Sequence, residues 1–314
     1  MQQHLQANPA PGAPTTDSIS WSYGSSSEQN GRTHMEDRVL TADLTSDVAL
    51  AGAERAVLLG VFDGHAGSAT AQYLSSSMVG HLLAEGGAAL HQDPADSIVR
   101  AVGCAEGELL ASWDPTTGPA SGSTLCMGLV LGSVLRVAHA GDSRAVLARS
   151  GRALQLTQDH KPSSEAERAR IHAADPSAQV SSDGYMYGEL GVSRGMGSAH
   201  IKGDPTKSAY IAAPELRSIQ LEERDDFLIL ASDGLWDVMS SSEAVTAARK
   251  SLAAKREAPA AAAVLVERAK QLGSADNISV VVMLLHGRPI TLAASNSRLF
   301  RRPAPAATAV EAAP

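Results

Sequence analysis

The chain has 314 residues, 44% of them apolar, with 26 Lys+Arg against 34 Asp+Glu and a formal charge of −8. That composition is globular and excludes wholesale disorder. An acidic balance with only 4% aromatic residues lacks the basic footprint and the stacking platforms of a nucleic-acid binder. Cys104 and Cys126 are too few to staple the fold and show no metal-ligand spacing, which suits a reducing compartment. No apolar stretch approaches the ~20 residues of a membrane span, and the N-terminus has neither a signal nor a transit pattern. A soluble intracellular protein of the cytoplasm or nucleus, with no membrane partner, is the expectation.

Residues 1–19 are rich in Gln, Pro, Ala and Thr, and residues 287–314 in Ala and Pro, both without periodicity. Such segments bury too little apolar surface to offset their ordering entropy and are expected to be disordered. Residues 20–286 read as one domain without a linker or a repeat. Within it, apolar runs at 56–62, 125–131, 135–138, 145–148, 227–231 and 278–285 are short and partly β-branched, as in buried strands. Helical periodicity runs from Ser68 to about Ala84 and from Asp96 to about Trp113. The second stretch places Ile98, Val99, Val102, Leu109 and Leu110 on one face. A short charged helix is expected over Ser163–Ala173, on the surface. Ser240 to about Ala254 and Pro259–Leu272 form a later helical pair; Ser240 and Glu243 have capping-box spacing, and Gly273 is a C-terminal stop. Helices in consecutive pairs between hairpin-like strands predict antiparallel sheets with helices on their outer faces, an α+β fold.

The carboxylates fall in a pattern. Asp63 follows VLLGVF, Asp142 follows VAHAG, Asp233 follows FLILAS, and Asp276 stands just before ISVVVMLL. Asp-Gly pairs are ordinary turn chemistry one at a time. Four carboxylates at four strand ends, with Glu36 and Asp37 besides, repel one another unless cations join them, and an all-oxygen ligand set selects Mg²⁺ or Mn²⁺.

The ordered motifs GRTHMEDR (31–38), VFDGHAG (61–67), SGST (121–124), HAGDSRAVL (139–147), TQDHKP (157–162), LGVSRGMG (190–197), ILASDGLWDVM (229–239) and SADNISVVV (274–282) span the folded block. Through them the chain resembles the metal-dependent serine/threonine protein phosphatases of the PP2C (PPM) family, the plant and algal branch in particular. The resemblance implies a four-layer αββα sandwich and hydrolysis of phosphoserine and phosphothreonine in proteins by a water bridging two Mg²⁺ or Mn²⁺ ions. It implies that Asp63 bridges the ions, with the Gly64 carbonyl, Glu36 and Asp37 toward one and Asp233 and Asp276 toward the other. Asp142 and Asp237 match the family's residues for a weaker third ion, and Arg32 matches its phosphate-binding arginine. His65, two residues beyond Asp63, is the expected proton donor to the leaving alkoxide.

Bland readings attach to other residues. His160 is expected to be structural, Ser123 and Thr124 to serve close strand packing rather than nucleophilic attack, Cys104 and Cys126 to be inert in the core, and Trp236 to pack behind the metal loop. Ala66 replaces the family's commoner glycine, a mild change where φ is negative. Met196 and Ser198 stand where many members have Phe and Asp. The region 163–205 corresponds to the family's flap beside the cleft. Tryptophan occurs only at 21, 113 and 236. Plant members that are abscisic-acid co-receptors carry a flap tryptophan, so this chain is not expected to be one; a monomer is. The rival readings are a pseudophosphatase that binds phosphoproteins, from which completeness of the ligand set separates it, and another two-metal hydrolase such as a nuclease, disfavoured by the acidic balance.

Overall fold

The computed structural model describes residues 21–48, 55–84, 86–118 and 120–285; the terminal segments 1–19 and 287–314 lie outside them. In chain order the strands are β1 (Trp21–Glu28), β2 (Arg38–Asp43), β3 (Ala56–Phe62), β4 (Gly64–His65), β5 (Gly122–Ser123), β6 (Leu125–Leu131), β7 (Val134–Ala140), β8 (Arg144–Arg149), β9 (Arg152–Gln155), β10 (Met196–Gly197), β11 (Glu215–Gln220), β12 (Asp225–Ala231) and β13 (Ile278–Leu285). The helices are α1 (Ala69–Leu82), α2 (Gly87–Gln92), α3 (Pro94–Ala111), α4 (Glu165–Ala174), α5 (Ala199–Lys202), α6 (Asp233–Trp236), α7 (Ser241–Lys255) and α8 (Ala258–Gln271).

Two five-stranded sheets, ordered β1-β13-β12-β8-β9 and β11-β7-β6-β3-β2, face each other. Neighbouring strands in both are antiparallel. Strand alternation sorts the side chains into layers. Leu58 and Phe62 of β3 pack under α1 and α3, whereas Val57, Leu59 and Val61 fill the space between the sheets with Val281 and Met283 of β13. Val280, Val282 and Leu284 of β13 turn the other way, against α7 and α8. Central strands covered on both faces read as unbroken apolar runs for this reason. The result is the expected αββα sandwich.

The helices obey their local signals. Asp93 caps α3 by accepting the Asp96 N–H at 3.0 Å. Ser240 and Glu243 form the reciprocal capping box of α7. The apolar stripe of α3 is narrower than its sequence suggests: Ile98, Ala101, Val102 and Ala105 face α1 and the sheet, while Val99 is 45% exposed. Val99 lies about 100° around the helix from Ile98, outside the packed arc. Cys104 is exposed rather than buried, because it lies about 200° from Val102 on the solvent side; Cys126 is in the core as expected. The expected helix at 163–173 is α4, and the flap region around it has a small core of its own, built on Ile171, Met186, Leu190 and Tyr210. Its buried Glu167 is gripped by Arg194 at 2.6 Å, by Arg170 at 2.8 Å and by the Ser193 hydroxyl at 2.6 Å. Although burial works against its charge, these donors hold its pKa down to about 2. No helix among the described residues is long and apolar enough to cross a membrane.

Candidate metal centre

Strands β3, β7 and β12 end just before Asp63, Asp142 and Asp233, and β13 begins just after Asp276. The antiparallel registers bring these ends to one edge of the sandwich. There Asp63, Asp142 and Asp233 each place a carboxylate oxygen within 4.8 Å of the others. A cleft of about 630 Å³ opens over them, lined also by Arg32, Glu36, Gly64, His65, Lys161, Asp237 and Asp276. Its far wall comes from the flap region, through Asp183, Tyr185 and residues 189–192.

Close backbone approaches hold this edge. A Cβ on Gly64 would lie 2.5 Å from the Glu36 carbonyl oxygen, and one on Gly234 would overlap the Asn277 carbonyl, so both positions require glycine. Asn277 pins the segment bearing Arg32 and Glu36: its Oδ1 accepts the Glu36 N–H at 2.8 Å, and its Nδ2 donates to the carbonyls of Gln29 at 2.8 Å and His34 at 3.0 Å. Thr124 Oγ1 accepts the Asp63 N–H at 3.1 Å and pairs with the Ser143 hydroxyl at 2.7 Å. It thus ties the Asp63 and Asp142 loops together, a more specific job than the packing role its sequence suggests. Trp236 is buried behind the Asp233 turn, donating from Nε1 to the Ala231 carbonyl at 2.9 Å.

The electrostatics are those of crowded anions. Burial, then the charges of Asp37, Asp233 and Asp142, push the Asp63 carboxyl well above the usual carboxylate range. Burial and Asp142 raise Asp233 to about 8. Burial also raises Asp142, although Lys161 works against it, and raises Asp37. Asp37 does not line the cleft but sits beneath it, 2% exposed; its Oδ2 accepts from the Ser232 hydroxyl at 2.8 Å, while Oδ1 is buried with no hydrogen-bond partner among the described residues. An orphaned buried carboxylate oxygen beside an all-oxygen donor set fits hard divalent cations. Among the described residues two cationic side chains reach the acidic cleft: Lys161, touching Asp142 and 3.8 Å from Asp233, and Arg32, 2.7 Å from Asp276.

His65 points its Nε2 at the Ser198 hydroxyl, 3.2 Å away. Burial, aided by Lys202 and His200, lowers its pKa to about 4, so the ring is neutral at pH 7. Ala66 has φ +55°, not the negative angle that would make it a mild replacement for glycine. Met196 is buried in the α1/α3 core. His160 is structural, as expected: its Nδ1 accepts the Gly141 N–H at 3.1 Å. It stacks on His139 with centroids 4.3 Å apart, and Glu215 lies 3.4 Å from its Nε2. That trio has a metal-like composition, but the Gly141 bond occupies the Nδ1 lone pair and leaves the ring proton on Nε2, so His160 has no lone pair to offer an ion. Lys161 and Ser198 are the functional neighbours sequence reasoning left without a role. The signal for Lys161 was its place beside His160 in TQDHKP.

A four-layer αββα sandwich with clustered carboxylates that could hold metal ions in a cleft at one sheet edge is the architecture of a metal-dependent phosphatase class. Residues 21–278 match the family model described as "Protein phosphatase 2C". The chain is 34% identical over 272 residues to "Probable protein phosphatase 2C 27" of Arabidopsis thaliana, covering 85% of this chain and 69% of that one. It is 35% identical over 271 residues to "Probable protein phosphatase 2C 2" of Oryza sativa subsp. japonica, covering 83% and 70%. The serine-threonine phosphatase 2C of Toxoplasma gondii shares its fold, with a TM-score of 0.70 over 86% of this chain and 96% of that chain at 22% identity. The chain belongs to the protein phosphatase 2C family.

Proposed function

We propose that this chain is a Mg²⁺- or Mn²⁺-dependent protein serine/threonine phosphatase acting on phosphoserine and phosphothreonine in protein substrates. The observation that carries the reading is the convergence of Asp63, Asp142 and Asp233 within 4.8 Å in a cleft that Arg32 and His65 also line. Asp63, the Gly64 carbonyl, Asp233 and Asp276 would hold two ions, with Glu36 and Asp37 supporting the Gly64 side directly or through water. Asp142 and Asp237 would hold a weaker third. When bound, the ions supply the positive field that admits a phosphate dianion and polarises water for in-line displacement.

The side chains do the rest. Arg32, 60% exposed at its side chain, has the freedom to leave Asp276 and present its planar fork to two phosphate oxygens. His65 Nε2 delivers a proton to the alkoxide oxygen of the leaving serine or threonine. The nearby dianionic phosphate favours the protonated ring that burial alone disfavours, and the Ser198 hydroxyl orients it. The buried layer of Asp37, Ser232 and Asn277 keeps the carboxylates from relaxing apart.

The absence of tryptophan between residues 163 and 205 supports a protein outside the abscisic-acid receptor complex. Turnover of a phosphothreonine peptide that requires Mn²⁺ and stops on adding EDTA tests the activity. Tight phosphopeptide binding with no turnover under either condition would instead make the chain a phosphoprotein-binding regulator.

A further inference from the structure

Lys161 stands in the cleft without a part in the chemistry proposed above, and its placement is constrained. The His160 N–H donates to the Gly141 carbonyl at 2.9 Å, and the Gly141 N–H donates back to His160 Nδ1 at 3.1 Å. On the other side the Lys161 carbonyl accepts the Ser164 N–H at 3.0 Å. The residue before Lys161 and the residue before Asp142 are therefore locked to each other. The ammonium is delivered onto Asp142, which it contacts through Oδ2, with Asp233 3.8 Å from Nζ. Asp237 lines the same cleft.

An ion at Asp142 needs carboxylate oxygens that the lysine already engages. Two cations sharing one acceptor are antagonists, and the tethered one acts at a high effective concentration. We propose that Lys161 is a built-in competitor for the divalent ion at Asp142 and Asp237 and is the cause of the lower affinity assigned to that position. The inference rests on the reading of the cleft as a metal centre. Lys161 is a positioning and tuning residue in it, not a catalytic one. Its reach toward the position of Asp233 and Asp276 is the longer one, 3.8 Å to Asp233 against direct contact with Asp142, so that position should change less when the lysine is replaced.

The test is Mn²⁺ binding by the full chain without substrate, followed by calorimetry and by the paramagnetic resonance of free Mn²⁺. In K161M and K161Q the weakest class of Mn²⁺ sites should tighten by about tenfold or more, while the tight class shifts by much less. K161R, which keeps the charge, should retain the weak class. Two neutral variants are used so that a folding defect in one does not decide the matter. A weakest class within about twofold of the parent in both would overturn the proposal. So would a loss of kcat/KM with Mn²⁺ binding unaltered, which would make Lys161 a phosphate contact. A parent protein that binds no Mn²⁺, or a D63N variant that binds it as the parent does, is a different pattern. It would refute the metal-centre reading itself, and the lysine's role with it.

Discussion

Arg32 Nη2 donates to Asp276 Oδ2 at 2.7 Å, so the cation assigned to the substrate phosphate and an anion assigned to a metal share one contact. If Arg32 turns its full fork to a phosphate, it gives up this contact, and an ion taking Asp276 would free it, so substrate binding and metal loading are expected to be coupled. Replacing Arg32 by Ala removes a charge-assisted fork worth about 1.5–3 kcal/mol. kcat/KM for a phosphothreonine peptide should fall roughly tenfold to a hundredfold, mostly through KM. Mn²⁺ affinity should hold or improve, since a competitor for Asp276 is gone. Arg32→Lys should rescue little, because an ammonium cannot span two phosphate oxygens. A parallel loss of Mn²⁺ affinity would place Arg32 in the architecture of the centre instead.

Asp63→Asn separates binding from stability. Burial pushes the Asp63 carboxyl up, and the charges of Asp37, Asp233 and Asp142 push it further. The amide should abolish turnover and the stabilisation by Mn²⁺. In EDTA it should raise the melting temperature, because a crowded carboxylate has become neutral. Unchanged Mn²⁺ stabilisation in thermal unfolding would show that Asp63 is not a ligand.

The sequence was legible where physics writes on single strands. β3, β6 and β13 match their apolar runs end to end, because strands covered on both faces are built almost wholly of apolar residues. β1 and β2, at the sheet edges, carry polar residues along their exposed faces and left no such run. β11 is another edge strand, half-hidden for the same reason. The carboxylates were legible as strand-end residues, but their convergence depends on the antiparallel registers, and the family motifs supplied what local pattern could not. The pairings of Lys161 with Asp142, Arg32 with Asp276 and His65 with Ser198 span 19, 244 and 133 positions and have no local trace. The φ of +55° at Ala66 is equally silent in sequence.

Stability without divalent ions should fall as pH rises. The folded protein holds Asp233 at a pKa of about 8, while an unfolded carboxyl titrates near 3.8. Between those values the folded state binds more protons than the unfolded one, so unfolding becomes easier as pH increases, by at most about 1.4 kcal/mol per pH unit for each extra proton held. The stabilising proton is fully present below the unfolded pKa and lost as pH passes the folded one. Melting temperatures in EDTA should decline from mildly acidic to mildly alkaline pH. Mn²⁺, which displaces those protons, should stabilise more strongly at the alkaline end. A stability that climbs with pH in EDTA would contradict the crowding of the four carboxylates.

Ala66 offers a stabilising change next to the active cleft. Its φ of +55° is left-handed backbone, which costs an L-residue with a Cβ about 1–2 kcal/mol. Glycine removes that cost and forfeits about 0.4–1 kcal/mol through a freer unfolded chain. The net gain of about 0.5–1 kcal/mol should raise the melting temperature of A66G by about 1–4 °C. A lower melting temperature would mean that the alanine methyl makes packing contacts worth more than its strain.

His65 is the proposed donor to the leaving oxygen, yet burial, aided by Lys202 and His200, brings its pKa to about 4, and its side-chain partner is a hydroxyl, Ser198, rather than an anion. Any acid role must therefore be expressed in the complex, where the substrate dianion lies near the ring, and should depend on how much the leaving group needs a proton. A serine or threonine alkoxide needs one; an aryl oxide leaves without it. His65→Ala should lower kcat on a phosphothreonine peptide by about 10²–10⁴ and lower kcat on an aryl phosphate by much less. Ser198→Asp, which sets a carboxylate against Nε2, should favour the protonated ring and carry peptide turnover to higher pH. Equal losses on both substrates for H65A, with an unmoved pH profile for S198D, would assign the ring to shaping the Asp63 loop and leave protonation of the alkoxide to water.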